Sequence, residues 1–230
     1  MADIAQFTGR INELATGFRQ SAILYAAVEA DLFSHLTAGR KTAGEVASRL
    51  GWDARGTRIF LDALVALELL DKQDATYGNT PVADTCLVPN RSAYQGNIVK
   101  HLRSGYMNWF HLGEAVRTGE AVPTREGMPF REEKRGPQEL RDFILGMDDI
   151  ARMSAQQILD VVDLSAYRHM LDVGGGPASY SIAFVSRHGG MRATLFDRPE
   201  VIDIAKEQVG AAGCGNRIAY IPGDFMVDPR

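Results

Sequence analysis

The side chains best placed for chemistry in this 230-residue sequence are three carboxylates, Asp172, Asp197 and Asp224. Asp172 precedes a glycine run, Gly174-Gly175-Gly176, and Asp224 lies in Gly223-Asp224-Phe225. Glycines let a backbone approach a ligand closely, and a helix opening just after them presents free N–H groups. A carboxylate about 20 residues beyond such a turn, here Asp197, is placed to accept from both hydroxyls of a ribose. An acid followed by an aromatic is placed to accept from an adenine amino group while Phe225 or Met226 covers the ring. Each acid alone is more often a solvated surface carboxylate. Three of them, each closing a strand, point to a nucleoside-bearing ligand. The dinucleotide fingerprint G-x-G-x-x-G is not met, because its third glycine position is Ser179.

The elements that must hold these groups are legible around them. Residues 169–173 read as a buried strand, 181–187 as a helix, and 193–196 and 218–221 as two further strands. Upstream, Pro137 suits the first turn of a long helix with the stripe Leu140, Phe143, Ile144, Met147, Ile150, Ile158 and Val161. Before that helix, Pro123, Pro129, Gly127 and Gly136 mark the clearest connector in the chain.

The amino-terminal half reads differently. Apolar residues recur at helical spacing over 7–36, giving two helices, and the second is apolar almost all round over 22–28. That helix is expected to be sandwiched in a core or packed on another chain. Thr42 with Glu45 forms a capping-box pattern that should stop near Gly51. Asp53 begins another helix, striped by Ile59, Phe60, Leu64, Leu67 and Leu70, and 70–80 reads as a small hairpin. Helix, short helix, longer helix and hairpin make a winged-helix pattern. Its charges balance: Arg40, Lys41, Arg49, Arg55, Arg58 and Lys72 face Glu45, Asp53, Asp62, Glu68, Asp71 and Asp74. Phosphate contacts supply most protein–DNA affinity, so this winged helix is read as a packing or pairing element.

Composition narrows the class further. Apolar residues make up 45%, charged residues 23%, and the net charge is −4, which excludes global disorder, collagen and coiled-coil rods. The sign is wrong for a general nucleic-acid binder. Cys86 and Cys214 stand alone, so neither a disulfide framework nor a metal site is expected. Asp3 stands where a signal peptide needs a positive charge, and no apolar run approaches a membrane span. The expectation is a soluble cytoplasmic protein without nucleic-acid or membrane partners.

The stretches Leu171-Asp172-Val173-Gly174-Gly175-Gly176, Leu195-Phe196-Asp197-Arg198-Pro199-Glu200-Val201 and Gly223-Asp224-Phe225, with the helix over 147–159, carry a family resemblance. The chain resembles the class I S-adenosylmethionine-dependent methyltransferases, and within them the two-domain small-molecule O-methyltransferases of the caffeic acid and acetylserotonin type. The resemblance implies a mainly α winged-helix dimerisation domain (1–115), a connector (116–137) and an α/β Rossmann-like cofactor domain (138–230) holding the first half of its sheet. It implies a homodimer, S-adenosyl-L-methionine as cofactor, and methyl transfer to a hydroxyl of a small aromatic acceptor. Gly174 and Gly176 would face the methionine part of the cofactor, Asp172 would orient their loop, Asp197 would take the ribose, and Asp224 with Phe225 the adenine. Met147 matches a position that touches acceptor or methyl donor in relatives, and Trp109 and His111 are candidate acceptor contacts. Ala151, Pro177 and Ser179 depart from the family pattern.

In the resembled family the catalytic histidine follows the fourth strand. None of His35, His101, His111, His169 and His188 occupies that motif. No catalytic residue is therefore assigned, and this stretch alone is expected not to turn over. The family's sheet order would leave 169–173 as an unpaired apolar edge. Two other readings stay open: a relative using the same cofactor for hydroxylation or decarboxylation, and a winged-helix regulator with a ligand-sensing domain.

Overall fold

A computed structural model of the chain describes residues 4–120 and 136–227. They fall into two units, 1–103 and 104–230. The first unit opens with α1 (Ile4–Thr16) and α2 (Phe18–Glu29), followed by a 3-10 turn over Leu32–Leu36. Then come β1 (Lys41–Thr42), α3 (Ala43–Leu50), α4 (Ala54–Ala66), β2 (Leu70–Gln73), β3 (Thr76–Asn79) and α5 (Pro81–Cys86), and α6 (Gly96–Ser104) leads into the second unit.

Local signals set these boundaries. The Thr42 hydroxyl accepts from the Glu45 N–H at 3.3 Å while the Glu45 carboxylate accepts from the Thr42 N–H at 2.7 Å, so α3 has the expected reciprocal cap. Gly51 stops it in the left-handed conformation, φ 67°. Asp53 caps α4 by accepting from the Gly56 N–H at 2.7 Å. The hairpin reverses at Asp74-Ala75, and β3 pairs antiparallel with both β2 and the two-residue β1, which completes the wing. The core beneath holds Val28, Leu32, Phe33, Val46, Leu61, Leu64, Leu70 and Tyr77. Tyr77 donates its hydroxyl to Asp62 at 2.8 Å, and Lys72 donates to the same oxygen at 2.6 Å, tying α4 to the wing.

Two details refine the periodic reading. On α4 the buried residues are Thr57, Leu61 and Leu64, while Ile59 is exposed. On α2, Ala27 and Val28 are buried in the unit's own core and Ile23, Leu24 and Tyr25 pack against it. The uncovered apolar stripe instead runs along α1 into α2, through Phe7, Ile11, Leu14 and Phe18.

The second unit contains a 3-10 turn (Tyr106–His111), α7 (Leu112–Thr118), α8 (Pro137–Val161), β4 (His169–Val173), α9 (Ser179–Arg187), β5 (Arg192–Asp197), α10 (Pro199–Ala211) and β6 (Ile218–Pro222). Most of the connector expected over 116–137 lies outside the described residues. Pro137 does open α8, and the Glu139 carboxylate accepts from the Gly136 N–H at 3.1 Å. The strands are parallel in the order β4-β5-β6, with Val173 opposite Phe196 and Phe196 opposite Ile221. One sheet face packs Met170, Ala193, Leu195 and Ile218 against Val185 of α9 and Ala205 of α10. Helices following successive parallel strands in one direction fall on one face, because the crossovers are right-handed.

That geometry bears out the unpaired edge expected at 169–173 and corrects the reading of β4 as a buried strand. It is the edge of the described sheet, and on the face away from α9 and α10 Leu171 is 62% and Val173 54% exposed. The α8 stripe is corrected as well: Ile150, Ile158 and Val161 are exposed, whereas Ile144, Asp148, Asp149, Ala155 and Leu159 are buried. No helix of the described residues is long and apolar enough to cross a membrane.

Candidate functional site

At the carboxyl end of β4 the chain must turn over the sheet edge and start α9 within five residues. It does so with Gly174 at φ 68°, Gly176 at φ 55° and Ala178 at φ 67°, three left-handed residues in alternation. That conformation suits glycine and strains alanine. Gly175 is a glycine for a different reason, since a Cβ there would overlap the Leu195 side chain and the Asp172 carboxyl. The Gly174 N–H donates to the Phe196 carbonyl at 2.8 Å, which extends the β4–β5 ladder into the turn.

The sequence-identified groups meet at this turn. Asp197, at the end of β5, accepts from the Gly176 N–H at 2.9 Å through one oxygen and from the Arg198 N–H at 2.8 Å through the other. Each oxygen retains acceptor capacity for a further donor. The Phe225 ring lies 3.7 Å from where a Cβ on Gly174 would stand, and Asp224 accepts from the Met226 N–H at 2.9 Å. A Cβ on Gly176 would meet nothing within 4 Å, so the turn faces open space. Asp172, Gly174, Gly176, Asp197 and Phe225 thus form one connected group, with Asp224 beside it. Three carboxylates at the carboxyl ends of three adjacent strands favour a ligand that carries positive charge and several donors.

Asp172 turns inward. It accepts from the Ser181 hydroxyl at 2.7 Å, fixing the turn from below. Burial pushes its carboxyl above the usual carboxylate range; the Ser181 bond opposes that shift and nearby Asp197 adds to it. Sequence reasoning missed Ser181, and it missed a second bond from the same helix turn: the Ser179 hydroxyl donates to Asp148 of α8 at 2.6 Å. Two serines in the first turn of a helix that follows a glycine run were the available signal.

The acceptor candidates stand elsewhere. Met147 is half-buried on α8, next to Asp148. Trp109 is 72% exposed, and His111 is exposed as well. Among the described residues no group of three or more His, Cys, Asp or Glu side chains is arranged to hold a metal ion.

The Asp172 shift has a measurable consequence. A carboxyl whose folded pKa exceeds its unfolded value of about 4 contributes stability that is fully present below that value and is lost as pH rises through the folded one. Asp172→Asn removes this dependence. The fall in Tm as pH rises from about 4 should be smaller in the variant than in the wild type, by scanning calorimetry. An identical fall in both proteins would show that Asp172 is not desolvated.

Comparison with known proteins gives this geometry a family. Residues 109–229 match an O-methyltransferase domain and residues 12–89 an O-methyltransferase dimerisation domain. The chain is 37% identical over 220 residues to 3-hydroxy-5-methyl-1-naphthoate 3-O-methyltransferase of Streptomyces sahachiroi, covering 95% of this chain and 64% of that protein. It is 32% identical over 233 residues to the N,N-dimethyltransferase OxyT of Streptomyces rimosus, covering 100% of this chain and 67% of that protein. The crystal structure of human N-acetylserotonin methyltransferase in complex with SAM superposes with a TM-score of 0.85 at 30% identity, over 98% of this chain and 68% of that one. The chain therefore spans about two thirds of the length of these relatives. More than half of its residues lie in the first of those domains, and the chain belongs to the O-methyltransferase family.

Proposed function

We propose that this chain serves methyl transfer from S-adenosyl-L-methionine to a hydroxyl of a small aromatic acceptor, with the cofactor held at the β4–α9 turn. One observation carries the reading: the Asp197 carboxylate holds the Gly176 N–H at 2.9 Å while keeping acceptor capacity toward the open space that Gly176 leaves. The residues fit the cofactor. Gly174 and Gly176 leave room for its methionine part, Asp197 has acceptors for two ribose hydroxyls, and Asp224 with Phe225 suits an amino-bearing ring. When bound, the cofactor supplies a methyl group on positively charged sulfur, and the carboxylates Asp172, Asp197 and Asp224 suit that charge.

Methyl transfer to oxygen asks a protein for in-line placement of the acceptor and removal of its proton. Met147, Trp109 and His111 are proposed as acceptor contacts, and no residue of this chain is assigned as the base. A naphthoate hydroxyl in the name of the Streptomyces sahachiroi relative supports an aromatic acceptor. Nitrogen is the second reading for the accepting atom, favoured by the N,N-dimethyltransferase relative that covers the whole chain. In this scheme 1–115 form the pairing domain, 116–137 the connector and 138–230 the cofactor domain.

The paired state is a homodimer. Its support is the match of 12–89 to a dimerisation domain, together with the exposed stripe Phe7, Ile11, Leu14 and Phe18. Such a stripe is costly to leave in water and buries well against a copy of itself.

Two measurements test these statements. Asp197→Ala should weaken S-adenosylhomocysteine binding by roughly 1.5–3 kcal/mol, the worth of hydrogen bonds to a charged group. Unchanged calorimetric affinity would remove Asp197 from the site. Light scattering should give a dimeric mass for the chain and a monomeric mass for a variant carrying Ile11→Asp and Leu14→Asp. A monomeric wild type would refute pairing through this stripe.

A further inference from the structure

Midway along α8 two carboxylates, Asp148 and Asp149, are buried side by side. Arg152 lies one turn on, with Nε 3.2 Å from Asp148 and a terminal nitrogen 3.0 Å from Asp149. One guanidinium against two carboxylates is a poor way to glue helices together, because well-packed apolar side chains usually serve stability as well or better. A carboxylate does what an apolar residue cannot do: it holds a hydroxyl in a fixed direction. Asp148 accepts from the Ser179 hydroxyl at 2.6 Å, and both residues are buried.

Ser179 is the first residue of α9 and follows Ala178 directly. Ala178 is the one non-glycine among the three left-handed residues of the turn, and such a conformation persists only where the surroundings hold it. Ser181, also buried, donates to Asp172 of β4 at 2.7 Å. The first turn of α9 is therefore gripped by a carboxylate from α8 and a carboxylate from β4, with residues 174–178 spanning the interval. If the α8 grip were lost, Ala178 would be free to relax toward negative φ, and the Gly176 N–H would leave Asp197.

We propose that Asp148 is a positioning residue for the ligand-binding turn, acting through Ser179 to fix where α9 begins and so the path of residues 174–178. What the turn holds rests on the cofactor reading above; the grip itself does not. It predicts a role for Asp148 that a buried ion pair serving only helix packing would not have.

The test uses the full chain with Ser179→Ala, Asp148→Ala, Asp148→Asn and the double alanine variant. Two readouts are taken: amide hydrogen exchange at 174–178 without ligand, and calorimetric affinity for S-adenosylhomocysteine. Ser179→Ala and Asp148→Ala should each speed exchange at 174–178 and weaken binding by about tenfold, the scale of one buried hydrogen bond, with exchange in α10 unchanged. The double variant should be no worse than Asp148→Ala alone, because both changes remove one interaction. Asp148→Asn keeps an oxygen that accepts from the Ser179 hydroxyl and should stay within about threefold of wild type. Wild-type exchange in both single alanine variants overturns the proposal, as does an Asp148→Asn variant as impaired as Asp148→Ala. If Asp148→Ala does not fold, Ser179→Ala decides by the same readouts. A wild type that does not bind S-adenosylhomocysteine overturns the cofactor reading instead, and exchange at 174–178 then decides the grip.

Discussion

A parallel strand that feeds a helix must lift its chain off the sheet end within a few residues, and in this protein that lift is the β4–α9 turn. The turn uses left-handed backbone at Gly174, Gly176 and Ala178, and it brings the middle residue so close to the sheet that Gly175 has no room for a side chain beside Leu195. Neighbouring features follow from this path. Leu195, buried against α9 and α10, also lies under Gly175, and Asp197 ends β5 where its carboxylate meets the Gly176 N–H. Phe225 sits against the bare face of Gly174. Ligands of open α/β sheets bind outside the carboxyl ends of the strands, and here the same backbone strain that makes the turn also clears the space.

The chemistry of that space is set by charge. Asp172, Asp197 and Asp224 gather along the carboxyl-terminal edge of the sheet, and two of them are relieved by backbone N–H groups while Asp172 bears the cost of burial. An edge of this kind is hostile to phosphate and hospitable to a cationic sulfonium. That distinction separates it from dinucleotide folds, which place a glycine turn and helix N-terminus around a pyrophosphate. The balanced charge of the winged helix fits the same picture, since affinity for a phosphate backbone needs a basic surplus.

Much of this was legible in the sequence wherever the determinant was local. The Thr42–Glu45 box, Gly51, the Asp53 cap and Pro137 act within one helical turn, and each sits at the boundary expected of it. The glycine run and the strand-end acids are short motifs as well. Reading failed where a residue's surroundings come from distant chain. The edge position of β4 followed from the family's sheet order, but the exposure of Leu171 and Val173 depends on which face α9 and α10 cover. Along α8, periodicity placed Ile150 and Val161 inside, while the structure buries Asp148 and Asp149, which have Arg152 and Ser179 as partners. Two-residue β1 carries no periodic signal.

The central claim is that one turn, held on β4 and faced by β5 and β6, is the binding site for a nucleoside carrying a sulfonium. The most direct test is to titrate S-adenosyl-L-methionine into isotope-labelled protein and follow backbone amide resonances. The account predicts that the largest shifts fall on Gly174, Gly176, Arg198 and Phe225, with the wing residues 70–79 unmoved. Shifts concentrated in the wing, or spread evenly without the turn, would contradict it.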